Sequence, residues 1–517
     1  MRFLENITPR EYQTKILESC KQKNCLVVLP TGLGKTLIAL MLSIERLEKF
    51  AGEKVLFLAP TKPLVDQHLK YFKKHLPELF AEIEMFTGEI DASKRKKIWQ
   101  TADIIFSTPQ CIANDLRKNL YSLENVSLLI EDEAHRCMKN YDYNSIAKEY
   151  QKMALHPRIL GLTASPGSNE ETIRTICKNL SIEEVEIRTR QSEDVKEYLQ
   201  DLQMKTIKVE FPDKFEDVRK LLKGLLERKI QELRNRKVFF GNANKITLLE
   251  CQSRIIKSIS SGSKNMNLYA GASACAQAIK LHHAIELLET QTLYSLNNYF
   301  DKMIEEANKG KSKAVQHLTS SSEFNKARII IQEMLAKNLE HPKLLELKDL
   351  IENKLKENSK IRIIVFSQYR DNGIKICKEL NLIHGIKAKS FVGQTKKLGS
   401  GLSQKEQKKI IEDFSEGKFN ILCATSIGEE GLDIPEVNAV IFYEPVPSAI
   451  RKIQRGGRTA RLMPGEIITL VTKNTKDETS YWSAHHKEKS MHKAISSLKE
   501  SLNSEFKNRI KEKQKTL

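Results

Sequence analysis

The order of apolar and polar positions divides this chain into two regions of alternating strands and helices, separated by a stretch that is helical throughout. In the first region, from Cys25 to about Leu162, short apolar runs are flanked by proline, glycine or serine. They read CLVVLP, KVLFLAP, ADIIFSTP, VSLLIEDEAH and RILGLTASP. Such runs, rich in Val, Ile and Leu, predict strands buried on both faces of a parallel sheet. We therefore expect a doubly wound α/β domain.

The same pattern returns from about Ile361 to Thr472 in the runs IRIIVFSQ, IKAKSFVG, FNILCATS, NAVIFYEP and EIITLVT. It predicts a second α/β domain on the same plan, without a phosphate-binding loop of its own. From roughly Val209 to Asn353 the strand patterns disappear. VRKLLKGLLERKIQELRNRKVFF and AIKLHHAIELLETQTLYSLNNYFDKMIEEA carry apolar residues at helical spacing instead. This middle segment is predicted to be an all-helical insertion.

These patterns give expected domain boundaries. The predicted units are a first sheet domain at 1–205, the helical insertion at 206–353, a second sheet domain at 354–480 and a basic helical tail at 481–517.

Charge and cysteine content narrow the class of protein. The chain has 85 Lys and Arg against 66 Asp and Glu, a formal charge of +19, which indicates a polyanionic partner such as nucleic acid. Nine scattered cysteines without a CxxC pair are typical of reduced thiols and argue against a thiol metal site. The sequence shows neither a long apolar segment nor a signal peptide. We expect a soluble, cytoplasmic, nucleoid-associated protein without a membrane partner.

The strongest local motif is LPTGLGKT, which follows a predicted strand and precedes a predicted helix. A loop in this position presents backbone N–H groups at a helix N-terminus, and these groups bind phosphate oxygens. Lys35 is expected to reach the β- and γ-phosphates of ATP, and the Thr36 hydroxyl to bind Mg²⁺. The predicted nucleotide loop consists of Leu29, Pro30, Thr31, Gly32, Leu33, Gly34, Lys35 and Thr36.

Acidic residues follow at the end of a later predicted strand, in VSLLIEDEAH. Asp132 is the candidate to hold Mg²⁺, because this hard cation prefers oxygen ligands and keeps most of its waters. Glu133 is the candidate general base that polarises the attacking water.

Hydrolysis of ATP also requires positive charge near the transferred phosphoryl group. The stretch QRGGRTAR, Gln454 to Arg461, occurs late in the second sheet region. Arg458 and Arg461 are the candidate arginine fingers, and Gln454 is included in the catalytic set. We expect them to act across a cleft on ATP bound to the first domain.

With these residues the chain resembles superfamily 2 helicases of the DEAH-box kind. Beside GLGKT, DEAH and QRGGRTAR, it carries APTKPLVDQ, TGE, STPQ, TAS, VFSQY and ATSIGEEGLD in order. The resemblance implies two RecA-like domains. It assigns adenine recognition to Gln13 and, more weakly, Arg10. The remaining implied residues couple ATP to domain closure (His135, Thr163 and Ser165) or lie near the ribose (Gly431 and Asp433).

The wording of LAPTKPLV, GLTASPGS, KLHHAIELLETQ and YEPVPSAIR is similar to archaeal Hef helicases, relatives of the Fanconi anaemia M-type helicase. That family implies an ATP-driven motor on branched DNA. Its members typically continue into a nuclease with a GDxxxERKxxxD metal motif, whereas the ERK triplet at 227–229 lies within a predicted helix and lacks the following aspartate. We expect a motor without the nuclease region, with a separate nuclease or replication clamp as a candidate partner.

A translocating motor is expected to hold the nucleic-acid backbone without reading sequence, through backbone amides and small hydroxyls. The candidate contacts are Pro60, Thr61, Lys62, Thr108, Pro109, Gln110, Ser367, Gln368, Thr425 and Ser426. The basic cluster between Arg219 and Lys237 suggests that the insertion acts as a thumb on a duplex arm.

Two other functions remain open at this level. A double-stranded RNA-dependent ATPase of the RIG-I or Dicer-helicase type shares the same motor and a helical insertion at the same place. An ATP-gated scaffold that recruits a nuclease without unwinding belongs to a different class. The motifs alone do not separate these functions from a DNA helicase.

Overall fold

Two parallel β-sheets covered by helices flank a helical bundle in this computed structural model. The structure describes residues 3–167, 169–262, 265–393, 401–425, 434–446, 448, 459, 464–491, 493 and 497. Within them, none of the helices is both long and apolar enough to cross a membrane. The predicted fold class, two α/β domains with a helical insertion, is confirmed.

The first sheet has seven parallel strands in the order β3-β4-β2-β5-β6-β1-β7. Its strands are β1 (Cys25–Val28), β2 (Lys54–Leu58), β3 (Ile83–Phe86), β4 (Ile104–Ser107), β5 (Val126–Asp132), β6 (Ile159–Thr163) and β7 (Glu184–Ile187). Its helices are α1 (Glu11–Gln22), α2 (Lys35–Lys49), α3 (Lys62–His75), α4 (Ala92–Thr101), α5 (Pro109–Arg117), α6 (Asp142–Met153), α7 (Glu170–Asn179) and α8 (Glu193–Lys196). Two hydrophobic cores contain alternate residues of the central strands, so both faces of the sheet are covered.

The second sheet has six parallel strands in the order β10-β11-β9-β12-β13-β8. Its strands are β8 (Leu202–Val209), β9 (Ile363–Phe366), β10 (Ala388–Phe391), β11 (Ile421–Ala424), β12 (Ala439–Phe442) and β13 (Gly465–Thr472). The helices that accompany it are α15 (Pro342–Glu357), α16 (Arg370–Leu380) and α17 (Gln404–Ser415). The apolar runs of the sequence therefore identify its five strands from β9 onward.

The helical bundle lies between the two sheets in the chain and has its own core. Its helices are α9 (Asp213–Asn235), α10 (Lys245–Ser260), α11 (Met266–Thr290), α12 (Leu293–Asn308), α13 (Lys313–Thr319) and α14 (Ser322–Ala336). The next helix, α15, instead packs Leu344 and Leu347 in one core with Ile363 and Val365 of the second sheet. The bundle thus ends before residue 342, earlier than the expected boundary at 353.

The expected end of the first domain at residue 205 falls inside strand β8. This strand pairs with β13 from Leu202 opposite Gly465 to Val209 opposite Thr472. Most of its residues are exposed, as suits an edge strand, so it lacks the apolar run that marks the central strands. The short strands β3 and β7 escaped prediction for the same reason, since IEMF and EVEI include polar residues.

After β13 the chain is helical over residues 476–491, so this helix begins before the expected start of the tail at 481. Met491 joins the hydrophobic core of the first domain. The Ser165 hydroxyl lies 2.8 Å from the Met491 sulfur. The C-terminal helix therefore contacts the first domain after leaving the second sheet.

Candidate nucleotide site

The loop after β1 is shaped by two glycines in the left-handed backbone region. Gly32 has φ +89° and Gly34 has φ +74°, conformations that other residues adopt only with strain. A Cβ on Gly34 would lie 2.3 Å from Gln13 Nε2. Helix α2 begins directly afterwards and carries no acidic residue in its first turn. Its N-terminal N–H groups are therefore oriented to bind an anion such as phosphate.

Lys35 is the first residue of α2, and its Nζ donates to the Leu29 carbonyl at 3.0 Å. Leu29 is buried, and its own N–H donates to the Thr163 carbonyl at 3.1 Å. The side chain of Leu29 thus serves the core, and only its backbone faces the predicted loop. Lys35 is held across that loop, where an ammonium neutralises phosphate charge.

Thr36 and Asp132, the two predicted Mg²⁺ ligands, are joined by a residue that the sequence did not identify. His68 on α3 places Nδ1 3.3 Å from the Thr36 hydroxyl and Nε2 2.8 Å from Asp132 Oδ2. Burial by itself raises the pKa of the Asp132 carboxyl, but the charge and hydrogen bond of His68 and the charge of Lys35 outweigh it and lower that pKa. Asp132 is thus held ionised, as a metal ligand must be.

Glu133 and the predicted coupling residues form a second connected group at the ends of β5 and β6. Glu133 adopts a left-handed conformation with φ +52°, unusual for a residue with a side chain. Its Oε2 lies 3.2 Å from His135 Nδ1, which is also 3.2 Å from the Thr163 hydroxyl. The Thr163 hydroxyl donates to the Ser165 carbonyl at 3.0 Å. A chain of contacts therefore leads from the candidate base to Ser165.

Gln13 lies against the nucleotide loop from the other side. Its Nε2 donates to the Leu33 carbonyl at 3.1 Å, and its Oε1 accepts the Arg10 N–H at 2.9 Å. The Tyr12 hydroxyl donates to the same Leu33 carbonyl at 2.8 Å. The Arg10 guanidinium lies 5.0 Å from the centre of the Tyr198 ring. Tyr12 and Tyr198 are thus further neighbours of this site that sequence motifs did not indicate.

The predicted nucleic-acid contacts follow the carboxyl ends of neighbouring strands. Residues 60–62 follow β2 and residues 108–110 follow β4, its partner in the sheet. Ser367 and Gln368 follow β9, and Thr425 follows β11, again neighbours. In each domain these residues therefore lie along one edge of the sheet.

Several of these side chains already have partners within the protein. Lys62 Nζ lies 2.6 Å from Glu89 Oε2. Ser367 is buried, and its hydroxyl accepts from Asn372 Nδ2 at 2.8 Å. Sequence position alone did not show that the Ser367 hydroxyl faces the interior. In this structure, its side chain joins α16 rather than an open surface.

A cleft of about 810 Å³ between α3 and α17 adjoins Thr36 and His68. The first domain borders it with Lys62, and the second with Lys408 and Pro435. Six predicted residues of the second domain lie outside the described residues, namely Ser426, Gly431, Asp433, Gln454, Arg458 and Arg461.

Comparison with known proteins places this site in a family. The model of DEAD/DEAH box helicases matches residues 10–173, and the helicase conserved C-terminal domain matches residues 342–463. A helical bundle described as that of a putative ATP-dependent RNA helicase matches residues 214–341. The crystal structure of the Pyrococcus furiosus Hef helicase domain is 46% identical with a TM-score of 0.72, and the match covers 92% of this chain and 98% of that one. The chain belongs to the Hef helicase family.

Curated relatives extend the likeness beyond the Hef helicase. A putative ATP-dependent RNA helicase of Methanocaldococcus jannaschii is 38% identical over 96% of this chain and 61% of its own length. The Fanconi anemia group M protein homolog of Mus musculus is 32% identical over 95% of this chain and 26% of its own length. The chain spans less than two thirds of these relatives. Several of the curated relatives are named ATP-dependent helicases.

Proposed function

We propose that this Hef-family protein is an ATP-dependent DNA helicase or translocase that acts on branched DNA, such as forks and junctions, during repair or restart of stalled replication. The observation that carries the proposal is the assembly of Lys35, Thr36 and Asp132 around the glycine loop. The match to the Hef helicase domain, which covers 98% of that chain at 46% identity, supports the same motor. Relatives named ATP-dependent DNA helicase, from Neurospora crassa and other fungi, support DNA as the substrate.

The residues of the first domain fit ATP with Mg²⁺. The Thr36 hydroxyl and the ionised Asp132 carboxylate both approach one imidazole, so two oxygen donors of the kind that Mg²⁺ prefers lie together. When bound, Mg²⁺ neutralises charge on the β- and γ-phosphates. Lys35 and the N-terminal amides of α2 then hold the phosphates, and Glu133 accepts a proton from the attacking water.

The remaining assignments complete the proposed cycle. Gln13 and Arg10 recognise the base, and the second domain supplies Gln454, Arg458 and Arg461 to the transition state and Gly431 and Asp433 to the ribose. The contacts of His135 with Glu133 and Thr163 support a coupling role. Closure of the domains on ATP then moves the nucleic-acid contacts of one domain relative to those of the other.

The insertion is proposed to hold a duplex arm through α9, and its ion pairs narrow the surface concerned. Arg219 is paired with Glu216 and Glu289, so it belongs to the interior of the fold rather than to an open basic face. Exposed basic residues remain along the helix and just beyond its end, namely Lys220, Lys223, Arg228, Arg234 and Lys237. Arg228 among them pairs with Glu323 at 2.5 Å.

ATP hydrolysis tested side by side with a synthetic fork, a four-way junction, linear duplex DNA and duplex RNA decides the substrate. We expect the fork and the junction to stimulate hydrolysis most. Stimulation by duplex RNA alone would contradict the proposal. A protein that hydrolyses ATP but separates no strands, and instead retains a nuclease, would favour the scaffold function.

Reversal of Lys220, Lys223, Arg234 and Lys237 to Glu tests the surface on α9. We expect weaker fork binding and a shallower dependence on salt, because fewer phosphates are neutralised, with little change in ATP hydrolysis without DNA. The matched control reverses four exposed lysines elsewhere in the bundle, namely Lys311, Lys313, Lys326 and Lys337. Equal losses in both variants would show that α9 is no special contact surface.

RNA is the second candidate substrate, because the bundle model and the Methanocaldococcus relative both carry the words RNA helicase. The duplex RNA arm of the same experiment addresses it. A separate nuclease or replication clamp is the proposed protein partner, and a cytoplasmic, nucleoid-associated location is proposed.

A further inference from the structure

His68 connects two residues of the proposed metal site that are far apart in the sequence. Asp132 lies 64 residues after it and Thr36 lies 32 residues before it, yet both contact the same imidazole. The ring is largely buried, with 7% of the residue exposed. Since the two contacts use different ring nitrogens, His68 binds both residues at once.

The chemistry of the partners fixes which nitrogen carries the hydrogen. An ionised carboxylate only accepts hydrogen bonds, so Nε2–H donates to Asp132 Oδ2 at 2.8 Å. Nδ1 of the same ring faces the Thr36 hydroxyl across 3.3 Å, within reach of a second hydrogen bond. His68 thus orients both oxygen donors towards the same place.

Side-chain packing around His68 holds the ring in position. Val65 and Phe72 on the same helix are buried in the core of the first domain. The His68 ring lies 4.6 Å from the ring of Phe57 on β2, centre to centre. Helix α3 therefore presents the imidazole from a packed surface, and a change of the two nitrogens need not disturb the packing.

We propose that His68 is a positioning residue that aligns Thr36 and Asp132 for Mg²⁺. The inference rests on the proposed ATP site and deepens it, since neither the motifs nor the family comparisons assign this residue. Groups behind the direct ligands typically alter metal affinity or activity by about 10- to 100-fold when they are removed. His68 therefore acts through the two ligands and touches neither ATP nor the reacting atoms.

The test measures binding of a fluorescent ATP analogue to the full chain as a function of Mg²⁺ concentration, with EDTA as the metal-free reference. His68→Phe keeps an aromatic ring against Phe57 but removes both nitrogens. We expect it to raise the Mg²⁺ concentration at half-maximal binding by about 10-fold or more, with binding in EDTA unchanged. His68→Gln supplies one amide donor and one acceptor and should restore a requirement close to that of the unaltered protein.

The control is His75→Gln on the same helix, where a similarly buried His75 contacts the Glu5 carbonyl instead. It should leave the Mg²⁺ requirement unchanged. If His68→Phe fails to fold, as judged by its thermal transition, His68→Leu takes its place. An unchanged Mg²⁺ requirement in the folded variant overturns the role of His68. If the unaltered protein binds the analogue equally with Mg²⁺ and EDTA, the proposed site itself is refuted.

Discussion

Each sheet domain has a lysine and an aspartate at an important position. In the second domain the two residues bind each other, and in the first domain they do not. In the second domain Lys343 Nζ lies 2.6 Å from Asp477 Oδ2, with both side chains almost completely buried. In the first domain Lys35 donates to a loop carbonyl, whereas Asp132 binds His68. In the second domain the lysine and the aspartate bind each other, whereas in the first domain each is held by a different group next to the glycine loop.

The loops after strands β1 and β9 differ in the same way. The first turn of α2 has no acidic residue, so its amides are suited to a phosphate. The first turn of α16 contains Asp371, and the Gln368 N–H donates to Glu444 of the same domain. The segment after β9 thus binds carboxylates of the protein itself, whereas α2 begins without an acidic residue.

The largest expected effect is a loss of stability when the ion pair of Lys343 and Asp477 is broken. Lys343 also donates to the Thr290 carbonyl at 2.8 Å, so it connects the bundle with the second sheet. Lys343→Met should lower the free energy of unfolding by about 3–5 kcal/mol, because it leaves Asp477 buried without its cation. Chemical denaturation measures the loss. The double variant with Asp477→Leu should recover part of it, and a double variant as unstable as the sum of both single variants would contradict this explanation.

Lys35→Ala tests the lysine of the proposed nucleotide site. We expect the rate of ATP hydrolysis to fall about 100-fold or more, because a positioned charge on the phosphates is lost, while the unfolding free energy changes little. Phosphate release in the presence of DNA measures the effect. Normal hydrolysis by this variant would refute the assignment of the site and, with it, the contrast between the domains.

A third carboxyl, Glu131, gives the first domain an expected dependence on pH. It is fully buried in β5, and burial raises its pKa well above the ordinary value of 4.5, although the Cys137 thiol opposes the shift. The folded state then holds a proton that the unfolded state releases. The contribution of Glu131 to stability is therefore greatest below pH 4.5 and falls as the pH rises above it. The slope from this group approaches about 1.4 kcal/mol per pH unit.

Thermal unfolding from pH 5 to pH 8 measures this dependence. Glu131→Gln should flatten the decline and make the protein more stable at pH 8 than the unaltered chain. Burial also raises the pKa of Asp477 in the second domain, although Lys343 opposes the shift, so Glu131→Gln should remove only the part of the decline that comes from the first domain. A slope unchanged by Glu131→Gln would assign the pH dependence elsewhere.

The smallest effects compare one glycine from each domain. Gly34→Ala places a methyl group on Gln13 in a strained backbone, and we expect about 10-fold weaker ATP binding, about 1.4 kcal/mol. Gly373→Ala in α16 meets no atom within 4 Å and should stabilise the protein by about 0.5–1 kcal/mol. Nucleotide titration measures the effect of Gly34→Ala, and chemical denaturation measures that of Gly373→Ala. A Gly34→Ala protein that binds ATP as tightly as the unaltered chain would show that the nucleotide loop does not depend on this backbone conformation.

Most of the fold was predictable because the central strands are short apolar runs, as CLVV and KVLFL show. The strands missed, β3, β7 and β8, include polar positions and lie at or near sheet edges, where one side of the strand need not be apolar. In the site, the glycine loop with Lys35 and Thr36 was recognisable from local sequence. His68 was not, because no local pattern marks a histidine whose partners come from other elements.

Local sequence was enough to predict the central strands, the glycine-rich turn that starts a helix, and the carboxylates that end a strand. These depend on neighbours within one turn or strand, so they are encoded locally. Tertiary structure decided which elements meet. It brought β8 to β13, Lys343 to Asp477 across 134 residues and His68 to Asp132 across 64 residues. Such contacts depend on sheet order and packing, which no local periodicity specifies.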